Sequence, residues 1–453
     1  MIISPRLPSR VIELGRRVRP SGTSALAAST VLTNLVRLIS TIVLSRLLSP
    51  DVYGIIGMIV SIFYAINMLS DVGFQAYVVR HQHGDEADFI NSVWTIHAGR
   101  GLLLTILGML LAWPSSILLA KPEIALPMAV SSLIFVIEGQ GSLAQFQGLR
   151  EGRVPRFALM GLIASTSQVF ICIIAAIFLR NVWAVVISMI AGSTINVLLS
   201  YVLFPGKRRS LRPDKKVAAD LWRFSRMIAA SSALTLVITQ ADKLAMSRIL
   251  PLDQFGTYVI ASTLAAAPAA FAFNYASTIV YPAVAGAWRD GAALKDAYYR
   301  CWGRFFYAYS FGGGCLIGGA DLVIRLLYDP RYAGAAVYLT ILAIATSLLM
   351  PVRSMENALV ASGHPRAVVE LNVVRLTWLI IGGIIALVRY DAMLLVLTIG
   401  LIEAPAYLYG AWKMQRLHLI RLAREASVWL TIGAGAAAGA GINGLARSYL
   451  PSL

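Results

Sequence analysis

Windows of about 20 apolar residues, the length that crosses a hydrocarbon core, recur near 24–48, 52–74, 91–113, 124–148, 156–179 and 182–204. A second set follows near 224–249, 254–281, 298–320, 334–356, 366–388 and 392–413, and one more window lies near 427–446. The pattern predicts an all-α integral membrane protein with spans grouped six, six and one. The polar connections are short, none longer than about 20 residues, which leaves no room for a soluble catalytic domain on either side. The most polar of them, FPGKRRSLRPDKK at 204–216, separates the sixth window from the seventh.

The two sets are related. SRLLSPDVYG at 45–54 follows the first window, and SRILPLDQFG at 247–256 follows the seventh, half a chain later. LREGRVPR at 149–156, before the fifth window, is echoed by VASGHPRA at 360–367, before the eleventh. With an even number of spans in each set, the halves enter the membrane in the same sense, so the duplication is parallel. Two like halves with a substrate between them are a common plan for transporters. The sequence therefore divides into a basic tail (1–23), an N-lobe (24–204), a basic linker (205–223), a C-lobe (224–413) and an extra C-terminal span (414–453), the lobes flanking a central cavity.

Composition agrees with a membrane setting: 58% of the 453 residues are hydrophobic and 13% charged, with a mean hydropathy of +0.72, against about 25% charged in soluble domains. The start carries Arg6, Arg10, Arg16, Arg17 and Arg19 ahead of a full-length span, unlike a cleaved signal. If the N-terminus is cytosolic, about 26 of the 39 lysines and arginines fall in connections on that side and about eight on the other. The same rule accounts for the net charge of +17, and no stacking aromatics or binding module accompany it, so nucleic acid is not an expected partner. Cys172, Cys301 and Cys315 lie in or beside apolar runs and point to neither disulfides nor a metal cluster.

The informative residues are charges inside the windows. An ionised side chain facing lipid costs about 2.5–3.5 kcal/mol on an insertion scale. Arg37, Arg100, Glu138, Arg375 and Glu403 are near span centres, Asp242 and Lys243 nearer one end, Arg353 and Glu356 nearer the other. They should face one another or a wet cavity. Arg37, Arg100, Lys243 and Arg375 are candidates for a cationic cavity that holds an anionic substrate. Glu138, Asp242 and Glu403 are candidates for charge balance or for binding a coupling H⁺ or Na⁺. For the arginines, structural pairing with Glu138 or Glu403 is the competing expectation; Arg353 and Glu356, three apart on one helix face, are expected to pair. Pro127, Pro268, Pro351 and Pro405 mark expected breaks in their spans. The run GAGAAAGAGING at 433–444 reads as a close-packing helix face, and His81 and His83, beside Asp85, Glu86 and Asp88, as a solvated loop. No nucleophile elbow, phosphate-binding glycine loop or zinc motif is present in a credible context.

SRLLSPDVYG, SDVGFQAYVVR at 70–80, NSVWTIHAGRG at 91–101, FQGLREGRVPR at 146–156 and ITQADKLAMSRILPLDQFGTY at 238–258 together, in this order, resemble the polysaccharide transporters, the O-antigen and exopolysaccharide flippases of the multidrug/oligosaccharidyl-lipid/polysaccharide exporter superfamily. The likeness extends to about residue 413. It implies two six-helix lobes around a cavity and movement, without catalysis, of a polyprenyl-diphosphate-linked oligosaccharide between the leaflets of the bacterial inner membrane. It also implies an ion gradient as the drive and membrane lipids and polysaccharide assembly proteins as partners. Asp242 and Lys243 match the charged position of the family's seventh span. Relatives usually have 12 or 14 spans, whereas the count here is 13. Two rivals remain: a multidrug or metabolite cation antiporter of the same architecture, which would want carboxylates in its cavity, and a membrane-embedded glycan polymerase or ligase, which would want a sizeable outer loop.

Overall fold

A computed structural model describes residues 22–84, 86–206, 210–211 and 214–449. Most of the predicted basic tail, together with Lys207, Arg208, Arg209 and Arg212 of the linker, lies outside the described residues. The fold is helical, with no strand among the described residues. In chain order the long helices are α1 (Gly22–Leu47), α2 (Pro50–Leu69), α3 (Ala87–Leu118), α4 (Pro122–Gly139), α5 (Val154–Leu179), α6 (Val182–Leu203) and α7 (Lys215–Ile249). They continue as α8 (Leu252–Arg289), α9 (Arg304–Leu327), α10 (Ala335–Ala361), α11 (Arg366–Arg389), α12 (Ala392–Arg416) and α13 (Leu422–Tyr449).

Twelve of these segments are long and apolar enough to cross a membrane. The exception is α7, 35 residues long, which carries Gln240, Asp242 and Lys243 near its end. Large apolar side chains such as Leu110 (67% exposed) and Phe178 (81%) project outward, a surface that hydrocarbon tolerates and water does not. The protein is a multi-pass membrane protein. The window at 298–320 is displaced in the structure: Leu294–Arg300 forms a short separate helix and α9 begins only after Gly303.

The expected proline breaks differ in kind. Pro268 lies between the Leu252–Ala266 and Ala269–Tyr275 segments of α8, and a π-turn at Ala276–Val280 loosens the same helix further down. In α12 the interruption falls at Leu401–Ile402, and Pro405 occupies the first turn of the next segment, where its missing N–H costs nothing. Pro351 is carried inside an uninterrupted α10. In α4 the break is at Ser132 rather than at Pro127.

The halves meet through the repeated motif. Helices α2 and α8 pack against each other from their first turns. A side chain at Gly54 would strike the Leu252 carbonyl, and one at Gly256 would strike the Pro50 carbonyl. These two contacts exchange under the repeat alignment, so the motif packs on its own copy across a pseudo-twofold. Ser45 and Ser247 are likewise both fully buried, each hydroxyl donating to the carbonyl three residues back, Ile42 at 2.8 Å and Leu244 at 2.9 Å. The Tyr332 hydroxyl donates to the Leu48 carbonyl at 2.9 Å, and Arg331 reaches the carbonyls of Ser45 and Arg46. On this face one hydrophobic core, including Ile59, Phe63, Phe255, Tyr258 and Tyr332, is shared by both lobes. Toward the opposite face the cores separate. One lies in the C-lobe around Tyr298, Met355 and Leu371; the other gathers Phe74, Tyr77, Phe89 and, from the start of α7, Leu221. The lobes are thus joined at the face poor in basic residues.

Candidate functional site

Where the shared core ends, the lobes enclose a cavity of about 480 Å³. Its walls come from α1, α7, α8, α10 and α12. Helices α1 and α7 open the two halves, and the residues they present are repeat equivalents: Arg37 on α1 and Thr239 on α7 both line it. Asn34, one turn before Arg37, faces the same space, as do Asp242 and Lys243, one turn beyond Thr239. Tyr258, Ser262 and Thr263 of α8, Thr346 of α10 and Glu403 of α12 complete the polar lining.

The charges in this cavity are unevenly compensated. Among the described residues the side chains of Arg37 and Lys243 make no hydrogen bond and no close ion pair, and the carboxylate within electrostatic reach of Lys243 is Asp242. Asp242 Oδ2 accepts a 2.6 Å hydrogen bond from the Tyr258 hydroxyl, while its Oδ1 is buried with no partner. Glu403 is 6% exposed and already committed: its Oε2 accepts from Nη2 of Arg375 at 2.7 Å and from Nε at 3.2 Å. The interruption at Leu401–Ile402 puts Glu403 in the first turn of a new helical segment, where the helix dipole favours a carboxylate. With Glu403 neutralised by Arg375, two cations, Arg37 and Lys243, face the single carboxylate of Asp242, and the surplus is positive.

Arg375 does not line this cavity. At 1% exposure it is held between α10 and α12, with Nη1 on Glu356 Oε1 at 2.7 Å and on Asn372 Oδ1 at 2.8 Å in addition to the Glu403 contacts. Glu356 in turn accepts from Arg353 at 2.7 Å, the pairing expected from their spacing, and Arg353 sits 4.6 Å over the Phe273 ring. Arg353, Glu356, Arg375 and Glu403 form a chain of alternating charge inside the C-lobe. The structural pairing weighed against a lumen role is what the structure presents for Arg375.

Arg100 and Glu138 are also elsewhere, both in the N-lobe. Arg100 donates to the Ser70 carbonyl at 2.9 Å, to the Ser70 hydroxyl at 2.7 Å and to Asn67. It satisfies carbonyls left open at the C-terminal end of α2 and borders a separate cavity of about 660 Å³ with Asp71 and His97. Glu138 accepts from Ser193 of α6 at 3.1 Å. The central cavity thus brings together Arg37, Asp242, Lys243 and Glu403 and leaves out Arg100, Glu138 and Arg375. It also contains Asn34, Thr239, Tyr258 and Thr346, none of which stood out in the sequence. Asn34 and Thr239 carried a usable signal, being polar residues at helical spacing from Arg37 and from Lys243. Tyr258, one more aromatic in an apolar window, carried none.

A family model described as polysaccharide biosynthesis protein matches residues 43–336. Over 312 residues the chain is 22% identical to the succinoglycan biosynthesis transport protein ExoT of Rhizobium meliloti, covering 68% of this chain and 62% of that protein. Over 289 residues it is 24% identical to the lipopolysaccharide biosynthesis protein WzxC of Escherichia coli, covering 62% and 57%. The matched stretch thus spans less than two thirds of either relative. Among solved structures, the lipid II flippase MurJ in an inward closed conformation superposes with a TM-score of 0.69 at 12% identity, over 90% of this chain and 89% of that one. An inward-facing multidrug resistance MATE family transporter of the MOP superfamily gives 0.62 at 15% identity, over 85% and 95%. These likenesses show a common two-lobed helical fold. The extent of the family match, well over half of the sequence, places the chain in the polysaccharide biosynthesis protein family.

Proposed function

We propose that the protein is a flippase that moves a polyprenyl-diphosphate-linked oligosaccharide across the bacterial inner membrane, for assembly of O-antigen, capsule or exopolysaccharide. The observation that carries the reading is the inter-lobe cavity in whose wall Arg37 and Lys243 outnumber the one carboxylate not already paired with an arginine, Asp242. A diphosphate cannot shed its hydration in hydrocarbon; two cations in a cavity of low dielectric replace it and fix the headgroup by charge-assisted hydrogen bonds. The hydroxyl and amide groups of Asn34, Thr239, Ser262 and Thr346 suit sugar, and the prenyl tail stays in lipid. The substrate is displaced, not cut or joined, so the activity is transport.

With the N-terminus cytosolic, the joined face carrying the two motif copies lies outward. The lobes part there as they close on the basic side, which exposes the cavity to each leaflet in turn. A coupling proton or Na⁺ binds at Asp242, whose unpartnered Oδ1 is the acceptor available for it. The partners in this reading are the lipid-linked glycan, the surrounding lipids and the assembly proteins that supply and remove the glycan. The positive surplus in the cavity disfavours export of cationic drugs.

The test is transport of a lipid-linked oligosaccharide in proteoliposomes. Arg37→Ala and Lys243→Ala should each lower the rate about tenfold or more, and Asp242→Asn should abolish its dependence on an imposed H⁺ or Na⁺ gradient. Unchanged rates in both cation variants would overturn the reading.

A further inference from the structure

A second concentration of positive charge lies on the basic face, away from the central cavity. The short helix Phe74–Arg80 and the loop after it meet the first turns of α7 and leave a pocket of about 640 Å³, lined by Arg80, His81, His83, Arg223 and Arg226 with one carboxylate, Asp220. Asp220 is already engaged, accepting from the Tyr77 hydroxyl at 3.0 Å and lying 3.8 Å from His81 Nε2. None of the three arginines has a carboxylate or carbonyl partner among the described residues. The nearby acids Glu86, Asp88 and Asp214 line an adjoining pocket instead, and Glu86 is bonded to His83 at 2.6 Å. That adjoining pocket mixes the two signs, sharing His81, His83 and Asp220 and adding Lys216, whereas Arg80, Arg223 and Arg226 gather in the first alone, a clustering that the bias of basic residues to one side of a membrane does not require.

The walls are fixed. His81 stacks on Phe89 at 4.2 Å between centroids, Tyr77 packs on Phe89 and Phe224, and Leu221 is buried among the same rings. Next to Arg223, Trp222 points outward at 73% exposure, as an indole does at the level of lipid headgroups. The pocket is therefore at headgroup depth, where the anion within reach of guanidinium groups is phosphate.

We propose that this pocket binds the phosphate of a lipid headgroup at the membrane surface, the source being either an anionic phospholipid or the diphosphate of a lipid-linked glycan. The site is independent of the central cavity. Its phospholipid form does not rest on the flippase reading; its diphosphate form does, as the point where the headgroup first docks.

The experiment is native mass spectrometry of the full chain in detergent, titrated separately with phosphatidylglycerol, with polyprenyl diphosphate and with phosphatidylcholine as the neutral reference. The variant is Arg80→Gln/Arg223→Gln/Arg226→Gln, and the charge-matched control is Lys121→Gln/Arg180→Gln/Arg389→Gln. Both are made in an Arg37→Ala background, so that diphosphate held in the central cavity does not mask the result. The proposal expects a loss of affinity of about tenfold in the first triple only. Loss for both anionic lipids supports a shared phosphate site, and loss for one alone identifies the source. Wild-type affinity for both, or an equal loss in the control triple, overturns the proposal whatever the transport assay gives.

Discussion

Inside the C-lobe, Arg375 has no water to fall back on. It is 1% exposed and its guanidinium is divided between Glu356 and Glu403. Removing one carboxylate leaves a buried positive charge short of a partner, an imbalance that costs about 3–5 kcal/mol, whereas an apolar replacement of the whole set is often neutral. Glu356→Leu and Arg375→Met are therefore each expected to lower the unfolding midpoint in detergent sharply. The combined Arg353→Met/Glu356→Leu/Arg375→Met/Glu403→Leu protein should recover most of that loss; a quadruple variant as unstable as the sum of its parts would contradict this account. The network also marks where sequence reading stops. Spacing on one helix was enough to pair Arg353 with Glu356. The partners of Arg375 come from α10 and α12, and which faces of separate helices oppose one another is a tertiary fact that no single apolar window carries. The same limit left Arg100 open between a lumen and a structural role, since its bonds to the end of α2 and its place beside the N-lobe cavity both come from separate helices.

At the level of elements, the repeated motif forms the joint between the lobes. Gly54 and Gly256 have no room for a side chain because each lies on the first turn of the other half. Gly54→Val and Gly256→Val should hold that face apart. Ser45 and Ser247, buried there, report it directly: in a background without Cys172, Cys301 and Cys315, a cysteine at either position should react with a membrane-impermeant thiol reagent much faster when either valine is present. Equal labelling with and without valine would mean that the glycines do not set the contact. Acid should not imitate the valines over the ordinary range. Arg331, which ties the loop before α10 to Ser45 and Arg46, holds the Asp329 carboxyl below its usual range by a hydrogen bond and its charge. A carboxylate with a depressed pKa contributes while it stays ionised and is lost only as pH falls through that lowered value. Taken as a ratio to the labelling of a small free thiol at the same pH, which cancels the loss of thiolate in acid, labelling of the wild-type background should therefore be flat from pH 7 to about 5 and rise only in stronger acid. The duplication itself was plain in the sequence. That its glycine is the point of self-contact was not, because the pseudo-twofold appears only when the halves are brought face to face.

For the whole molecule, the windows of hydrophobicity were enough to lay out most of the helices, since span length and apolarity are local properties that the bilayer dictates, although twelve segments rather than thirteen are apolar enough to cross and the window at 298–320 runs over a break. What they left unassigned was the purpose of the last helix, and its packing gives one. Helix α13 lies along α9 with backbones in contact: side chains at Gly435 and Gly439 would strike the carbonyls of Phe311 and Cys315. In hydrocarbon, where no hydrophobic effect draws helices together, such small-residue faces supply the van der Waals contact that does. A polar clasp secures the near end of α13, where buried Glu425 accepts from the hydroxyls of Tyr299 at 2.8 Å and Tyr407 at 2.7 Å. Neither α9 nor α13 contributes to the lining of the central cavity. The helix is thus a brace on the outside of the C-lobe rather than part of the route. Gly435→Leu/Gly439→Leu should separate it from α9 and lower thermal stability by several degrees, the overpacking penalty of about 1–3 kcal/mol at each site. Transport per folded molecule should stay near the wild-type rate. The opposite outcome, normal stability with transport lost, would mean that α13 moves with the lobes during the cycle and that the C-lobe does not rock as one rigid body.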